Sequence, residues 1–314
     1  MDDFQGYQPD FLGTTLQVPL PTLPVDKRPD MAPELTYTHF SVYLSKARRF
    51  PYFTATNING ELFTQINRDA VFDSGNDEWR IDDRAKGMQW GSALYTAPKS
   101  DFHRGHMTKR EDPQWGSTPD VARRAAQDTF HFSNCVPQVA ELNTEAWGDL
   151  ERYILAKRAV KEKKLVSVFT GPVLSADDPS FVTKISLFPV LLPTFFWKVV
   201  YYTNDDEQLN RAAFMMGQRE ALLRRAVIKD EILTHLREFK VVEMKRDYFA
   251  DYADAALYQV QTGIIEKLTN LRFPLAHEQY GDTRPLQLIF DEVQVSLLEQ
   301  ATAIPHHAFD NIVL

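Results

Sequence analysis

The chain has 314 residues, of which 44% are hydrophobic, 25% are charged and 12% are aromatic. This is an ordinary globular composition, long enough for one large domain or two modest ones. A single cysteine, Cys135, excludes an intrachain disulfide and a cysteine-rich zinc cage, and it suits a reducing compartment. The net charge of −8 argues against a uniformly basic nucleic-acid binder, although local basic patches decide such binding.

The amino terminus, MDDFQGYQPDF, is acidic and lacks the basic and apolar regions of a secretory signal. It is also unlike the arginine-rich amphipathic segment that directs proteins to mitochondria. No stretch reaches the roughly 18 apolar residues that a membrane-spanning helix needs. We therefore predict a cytoplasmic protein that has no membrane partner.

The predicted elements begin with an irregular segment and continue with strands. Residues 1–35 carry six of the eighteen prolines and little periodicity, which predicts an extended arm that packs over a core or a neighbour. Alternating and aromatic residues at 35–45 and 52–60 predict antiparallel strands. The β-rich apolar runs at 166–174 and 195–203 predict two more.

Helical periodicity follows between and after these strands. The segments that show it are 119–128, 141–162, 206–224, 250–269 and 288–301. Strands interleaved with helices predict an α+β domain over residues 36–275, with a mostly antiparallel central sheet flanked by helices. Residues 276–314 are then an acidic C-terminal extension.

One basic run lies at residues 152–164, RYILAKRAVKEKK. Its cations are Arg152, Lys157, Arg158, Lys161, Lys163 and Lys164, against the single acid Glu162. The run is typical of a solvated helix face, and it is also a candidate surface for a polyanion. The sequence alone leaves both interpretations open.

The segment HRGHM begins at His103 and combines two imidazoles with a guanidinium. On a strand, period-two alternation puts Arg104 and His106 on one face and His103 and Gly105 on the other. An arginine fork binds phosphate oxygens, and a histidine accepts a proton from water near neutral pH. A two-histidine metal site is the alternative, but this spacing points the two rings to opposite faces. The charged residues 109–112 that follow are predicted to form a loop with internal ion pairs.

A second candidate group lies on the helix predicted at 141–162. Asn143, Trp147 and Glu151 are spaced four residues apart and therefore share one face of that helix. An asparagine amide oxygen can coordinate a hard cation, and a glutamate can accept hydrogen bonds from the waters of that cation. A helix start followed by a core tryptophan explains the same pattern without a metal.

Five ordered segments together resemble a known family. They are RGHM at 104–107, FSNCVPQ at 132–138, LNTEAWGDLE at 142–151, VFTGPVL at 168–174 and FWKVV at 196–200. In this order and spacing they are similar to the DNA/RNA non-specific endonuclease family, the ββα-metal nucleases that include endonuclease G. The resemblance covers roughly residues 36–275 and implies the ββα-metal nuclease fold.

The resemblance also implies roles for individual residues. His106 falls on the general base of the family and Arg104 on the arginine that contacts phosphate. Asn143 falls on the magnesium-ligating asparagine and Glu151 on the glutamate that orients water. Asn134 matches an asparagine that lines the same site, and we include it among the catalytic residues.

Two positions depart from the family pattern. His103 stands where the family usually has aspartate or asparagine, and Asp101 could supply the missing carboxylate. Leu155 stands where the family can carry an arginine, and Arg152 or Arg158 could replace that arginine. With Arg104, we therefore predict that His103, Arg152 and Arg158 bind substrate.

The implied function is hydrolysis of DNA and RNA by a metal-dependent, sequence-nonspecific endonuclease that leaves 5′-phosphate ends. Its cofactor would be Mg²⁺, with Mn²⁺ as a substitute. Its partners would be nucleic acid, a second copy in a homodimer, and a regulatory partner or inhibitor that restrains a defence or cell-death effector. Two alternatives stay open: a catalytically inactive nuclease fold acting as a nucleic-acid-binding or scaffold module, and a zinc site built from His103, His106 and His131.

Overall fold

The computed structural model describes residues 5–144, 146–228, 256–288, 290–292, 307–309 and 311–313. Its strands in chain order are β1 Leu35–Tyr37, β2 Phe40–Leu44, β3 Pro51–Asn59, β4 His103–His106, β5 Cys135–Gln138, β6 Leu165–Pro172, β7 Phe195–Thr203, β8 Leu209–Gly217, β9 Leu257–Val260, β10 His277–Glu278, β11 Leu286–Gln287, β12 Phe290–Glu292 and β13 His307–Phe309. Its α-helices are α1 Ser92–Tyr95, α2 Pro119–Asp128, α3 Ala140–Thr144, α4 Ala146–Arg152, α5 Arg219–Arg224 and α6 Thr262–Thr269. A π-helical segment, Tyr153–Lys161, continues α4.

One large sheet organises the described part of the chain. Its strands lie side by side in the order β1-β2-β3-β6-β7-β8-β9-β11, and β10 adds to β8. All of these pairings are antiparallel except that of β10 with β8. The predicted α+β class, with a mostly antiparallel sheet flanked by helices, is confirmed.

The central strands are mostly apolar because both faces of the sheet are buried. On β7, Phe196 and Val200 belong to one hydrophobic core, whereas Trp197 and Val199 belong to the core on the opposite face. Side chains alternate between the two faces of a strand, so a strand covered on both sides reads as a continuous apolar run. We call the first core the helix-side core, because it also contains Trp147 of α4.

The opposite core is covered by the N-terminal segment together with α6. Tyr7, Phe11 and Val18 are buried there against the sheet. The ring centroid of Phe11 lies 5.5 Å from that of Trp115. The segment therefore packs over the core of its own chain, and its apolar side chains complete that core.

The helical predictions for 119–128 and 141–162 are confirmed. The first is α2, and the second is divided among α3, α4 and the π-helical segment. None of the described helices is both long enough and apolar enough to span a membrane.

The helix predicted over 206–224 is wrong for most of its length. Leu209–Gly217 is the strand β8, which pairs with all nine residues of β7, and only Arg219–Arg224 is helical. An apolar run such as AAFMM satisfies both the helical and the strand period. The hairpin ladder with β7 supplies hydrogen bonds on the sheet, and this pairing makes the segment a strand.

Two further helix predictions are wrong in part. Within 250–269, Leu257–Val260 forms β9 and Thr262–Thr269 forms α6, while 250–255 lies outside the described residues. Within 288–301, Phe290–Glu292 pairs with His307–Phe309 as a two-stranded ladder, and 293–301 lies outside the described residues. In both cases pairing with a distant strand overrides the local helical period.

A small ββα unit stands beside the large sheet. Strand β4 pairs antiparallel with β5, with His106 opposite Cys135 and Arg104 opposite Pro137. Helix α3 follows β5 after Val139 and contacts β4. The HRGH strand is therefore held between a partner strand and a helix.

The packing of the N-terminal segment gives a testable prediction. We expect Phe11→Ala to lower the free energy of unfolding by about 3–5 kcal/mol, because it leaves a cavity in a closed core. Val25→Ala is the matched control, since Val25 is 75% exposed in the same segment, and it should change stability by less than about 0.5 kcal/mol. Urea denaturation of both variants measures the difference, and equal stabilities would show that the segment does not belong to the folded core.

Candidate active site

Arg104 and His106 meet on one face of β4, as the alternation predicts. The indole of Trp79 contacts both residues, with its centroid 4.7 Å from the His106 ring and 5.9 Å from the Arg104 guanidinium carbon. That carbon also lies 5.5 Å from the Tyr95 ring and 6.0 Å from the Phe132 ring. Arg104 is thus held among aromatic faces, and its buried Nε donates no hydrogen bond to the described residues.

His106 is packed so that its ring carries no charge. Its Nε2 is buried and has no hydrogen-bond partner among the described residues. Burial, and then the positive charge of Arg68, lower the pKa of His106 to about 3, and Glu111 opposes this only in part. The imidazole is therefore neutral at physiological pH and has a nitrogen lone pair with which to accept a proton.

Gly105 separates these two residues because a side chain would not fit. A Cβ at this position would lie 2.0 Å from Oε1 and 2.3 Å from Cδ of Gln138. Gln138 is the last residue of β5 and is fully buried. The glycine therefore permits the close approach of the β5 end to the HRGH strand.

Asn134 holds the chain directly after His106. Its Oδ1 accepts a hydrogen bond from the backbone N–H of Thr108 at 2.9 Å. Its Nδ2 donates to the carbonyls of Thr108 at 2.9 Å and Thr129 at 3.0 Å. Both amide hydrogens are therefore used by the backbone, and this geometry suits a positioning residue better than a group that contacts substrate.

The predicted stripe of the second helix lies in two short helices. Trp147 and Glu151 are both buried on α4. Asn143 lies on α3, next to β4, but its side chain is outside the described residues. Its role as a metal ligand stays a prediction.

Glu151 lies between two lysines. Lys198 Nζ is 3.5 Å from its Oε1 and Lys109 Nζ is 3.9 Å from its Oε2. The Oε1 atom is buried and accepts no hydrogen bond from the described residues. Glu151 is therefore an anchored carboxylate that still has an acceptor oxygen available.

The charged residues 109–112 contribute more to this site than the sequence indicates. Arg110 pairs with Glu111 within the loop, as predicted, but Lys109 turns instead to Glu151. Asp112 is buried, and burial, reinforced by the charge of Glu151, raises its pKa to about 7, while Lys198 opposes the shift.

The structure describes the remaining predicted substrate ligands only in part. His103 is exposed at the start of β4. Arg152 pairs with Asp149 on its own helix, and its Nε is buried with no hydrogen bond to the described residues. The Arg158 side chain lies outside the described residues, and Leu155 is buried in the helix-side core. Their roles in binding stay predictions.

Two alternatives from the sequence do not fit the geometry. Asp101 pairs with Arg225 at 2.6 Å, so it is not a carboxylate that supports His106. His131 Nδ1 is 2.8 Å from the Asp128 carbonyl, and the three histidines of the zinc alternative form no cluster. Within the residues described, no group of three or more His, Cys, Asp or Glu side chains is arranged to hold a metal. The zinc alternative is therefore wrong.

Sequence reasoning missed Lys198 and Asp112. A signal existed for Lys198, because a lysine alone in the strand FFWKVVYYT cannot reach solvent if both faces of that strand are buried. No comparable signal marks Asp112, since an aspartate in a charged loop is normally exposed. Only the tertiary structure shows that this loop folds inward.

The raised pKa of Asp112 gives a pH-dependent prediction. Between its ordinary pKa of 3.8 and about 7, the folded protein binds a proton that the unfolded chain has released. The contribution of Asp112 to stability therefore falls as pH rises through this window. We expect Asp112→Asn to gain stability relative to wild type from about pH 4 to pH 7, by roughly 2–4 kcal/mol. Urea unfolding across this range is the measurement, and parallel pH profiles would contradict the assignment.

Comparisons with known proteins identify the family of the chain. The model of the family described as DNA/RNA non-specific endonuclease matches residues 24–278. The uncharacterized protein y4fB of Sinorhizobium fredii is 35% identical over 240 residues, 71% of this chain and 34% of that protein. Human mitochondrial endonuclease G is 32% identical over 123 residues, 37% of this chain and 39% of that protein. The yeast mitochondrial nuclease is 26% identical over 159 residues, 48% of this chain and 44% of that protein.

The chain thus spans less than half the length of each of these curated relatives. A crystal structure of the EndoG/EndoGI complex, which concerns the mechanism of EndoG inhibition, is similar with a TM-score of 0.51 at 19% identity. The similarity covers 76% of this chain and 84% of that chain, and it shows a shared fold. The family match extends over most of the chain and includes the HRGH strand, the SNCVPQ strand and α4. The chain therefore belongs to the DNA/RNA non-specific endonuclease family.

Proposed function

We propose that the protein is a metal-dependent, sequence-nonspecific endonuclease that hydrolyses DNA and RNA. One observation carries the proposal: His106 has a buried Nε2 with no hydrogen-bond partner among the described residues, and it lies on the same strand face as Arg104. A neutral imidazole can take a proton from water, and a guanidinium on the same face can bind the phosphate that the water attacks.

The reaction follows from these two groups. His106 Nε2 accepts a proton from a water molecule, and the water oxygen forms a bond to the scissile phosphorus. The bond between phosphorus and the 3′ oxygen breaks, and the leaving 3′ oxygen takes a proton from solvent water while His106 returns its proton to solvent. The products are therefore a 5′-phosphate and a 3′-hydroxyl. Arg104 stabilises the charge that builds on the phosphate oxygens. As the phosphate anion approaches, its negative charge raises the proton affinity of the buried imidazole.

The residues beside this pair fit a hard divalent cation. Asn143 would hold Mg²⁺, or Mn²⁺ as a substitute, and Glu151 would orient a water bound to the ion. The fit rests on Glu151, whose buried Oε1 lacks a hydrogen bond and can accept one from such a water. A single neutral ligand leaves most positions of the ion to water and phosphate, as Mg²⁺ prefers. When bound, the ion neutralises charge on the phosphate and the leaving oxygen.

Substrate binding involves further cations. We assign backbone phosphates of the substrate to Arg104, with His103, Arg152 and Arg158 as additional contacts. Asn134 is better described as a positioning residue, because its amide is bonded to the loop that follows His106. Contacts to phosphate carry no sequence information, so this assembly would cut without base preference.

Restraint of this activity is a further part of the proposal. We expect a nuclease domain over 36–275, a homodimer, and a regulatory partner or inhibitor. The similarity to a structure of EndoG with EndoGI supports the last of these. The extension 276–314 is a candidate restraint, although its first residues, His277–Glu278, already pair with β8. A defence or cell-death role and a cytoplasmic location both stay predictions. The relatives endonuclease G and yeast nuclease are mitochondrial by name.

The proposed base gives the first functional prediction. We expect His106→Ala to lower the cleavage rate by at least about 10²-fold while the protein stays folded, because a positioned base is lost. The control is His277→Ala, which removes an exposed histidine of the same chain. A plasmid-nicking assay with Mg²⁺ and with EDTA measures both, and circular dichroism checks the fold.

Cleavage at the wild-type rate by His106→Ala would contradict the mechanism. A folded wild-type protein that binds nucleic acid but does not nick it under any metal condition would favour the catalytically inactive alternative. These two outcomes can be told apart, because the wild-type protein cuts nucleic acid in the first and does not cut it in the second.

The attacking group gives the second functional prediction. We expect digestion of both DNA and RNA, single- and double-stranded, with 5′-phosphate and 3′-hydroxyl ends, because external water needs no 2′-hydroxyl. The rate should fall steeply with salt, since binding rests on cationic contacts to phosphate. End-group analysis of matched substrates is the measurement. Cyclic phosphate ends, or inertness toward DNA, would show that the 2′-hydroxyl is the nucleophile.

A further inference from the structure

We infer that Lys198 is a positioning residue for the proposed reaction, and that it acts by fixing the carboxylate of Glu151 on the helix that faces it. The inference rests on the proposed function, in which Glu151 orients a water bound to the metal ion. It concerns a residue on the central strand β7, in the FWKVV segment, for which the mechanism above has no use.

Lys198 is buried at the centre of the molecule. Its side chain is 1% exposed and points to the helix-side face of the sheet. Its Nζ donates a hydrogen bond to Thr170 Oγ1 at 2.8 Å, from the residue directly opposite on β6. The same nitrogen lies 5.5 Å from the Trp147 ring centroid and 3.5 Å from Glu151 Oε1. The ammonium thus lies between the sheet and α4.

A buried ammonium needs a counter-charge. Removing one partner of a buried ion pair leaves an uncompensated charge, which is strongly unfavourable. Two carboxylates near Lys198 are candidates, Glu151 and Asp112. The pKa of Asp112 is raised to about 7 by burial and by the charge of Glu151, so Asp112 carries only part of a negative charge near neutral pH. Glu151 is therefore the main counter-ion.

The neighbouring side chains argue against a purely structural reason for the lysine. On the same face of β7, Phe196 and Val200 are apolar members of the helix-side core. An apolar residue at position 198 would continue this pattern, and replacing a buried ion pair by apolar groups is often neutral or stabilising. We therefore attribute the presence of a charged lysine at position 198 to its contact with the Glu151 carboxylate.

Two lysines hold the two oxygens of Glu151 from different elements. Lys198 approaches Oε1 from the sheet, and Lys109 approaches Oε2 from the loop that follows β4. The approach to Oε1 is not a hydrogen bond, so that oxygen keeps its acceptor capacity. The arrangement restricts rotation of the carboxylate while it leaves Oε1 able to accept a hydrogen bond from water. Outer-shell contacts of this kind typically change metal affinity by about 10–100-fold.

The test is a double-mutant cycle on the full chain with Lys198→Met, Glu151→Gln and the double variant. The first readout is Mn²⁺ affinity without substrate, followed by electron paramagnetic resonance. The second is the Mg²⁺ concentration that gives half-maximal plasmid nicking. Asn143→Ala is the reference for loss of the proposed ligand. Lys46→Met is the matched control, since its Nζ donates a hydrogen bond to the Pro29 carbonyl at the surface.

We expect Lys198→Met to weaken Mn²⁺ binding by about 10–100-fold and Lys46→Met to leave it unchanged. The double variant should bind Mn²⁺ as Glu151→Gln does, within about twofold, because Lys198 acts through Glu151. Losses that multiply in the double variant would overturn the inference, as would a Lys198→Met variant with wild-type affinity.

The cycle remains decisive if Lys198→Met alone does not fold. The double variant removes both charges and is expected to fold, so it is then compared with Glu151→Gln. Equal Mn²⁺ affinities of these two variants support the inference. A further tenfold loss of affinity in the double variant refutes it. A wild type that binds Mn²⁺ but cuts no nucleic acid would refute the proposed function. The Mn²⁺ affinities of the variants would still decide the role of Lys198.

Discussion

The short ladder between β4 and β5 is the contact on which the site depends. It puts Arg104 and His106 on one face, and it requires glycine at position 105 because the Gln138 side chain occupies the space of a Cβ. Asn134, directly before the partner strand, binds the backbone of Thr108 and so fixes the chain on the far side of His106. The motif is thus held at both ends by backbone contacts rather than by its own functional groups.

Around this ladder the protein separates two electrostatic environments. His106, the proposed base, is surrounded by aromatic rings and its pKa is lowered by burial, whereas the carboxylate of Glu151 lies between two lysines. A proton acceptor and a fixed anion are both needed for hydrolysis assisted by a metal ion. Thr170 and Lys198 are polar residues on an otherwise apolar sheet face, and they contribute to the polar surroundings of Glu151.

The predictions succeeded where local pattern and tertiary structure agree. The strands at 166–174 and 195–203 and the helix at 119–128 carry clear periods, and the structure confirms them. The prediction for 206–224 failed because an apolar run buried on both faces has no distinguishing period. Hairpin pairing with the preceding strand β7 makes β8 a strand.

The sequence by itself determined the family and the residues of the motif, because HRGHM, SNCVPQ and the segment that contains Glu151 keep their order and spacing. It also determined that Arg104 and His106 share a face, since that follows from strand alternation alone. Only the tertiary structure decided that His106 is neutral and that Lys198 lies against Glu151. Burial and the distances between charges are set by residues far apart in the chain, and both the pKa values and the ion pairs follow from them.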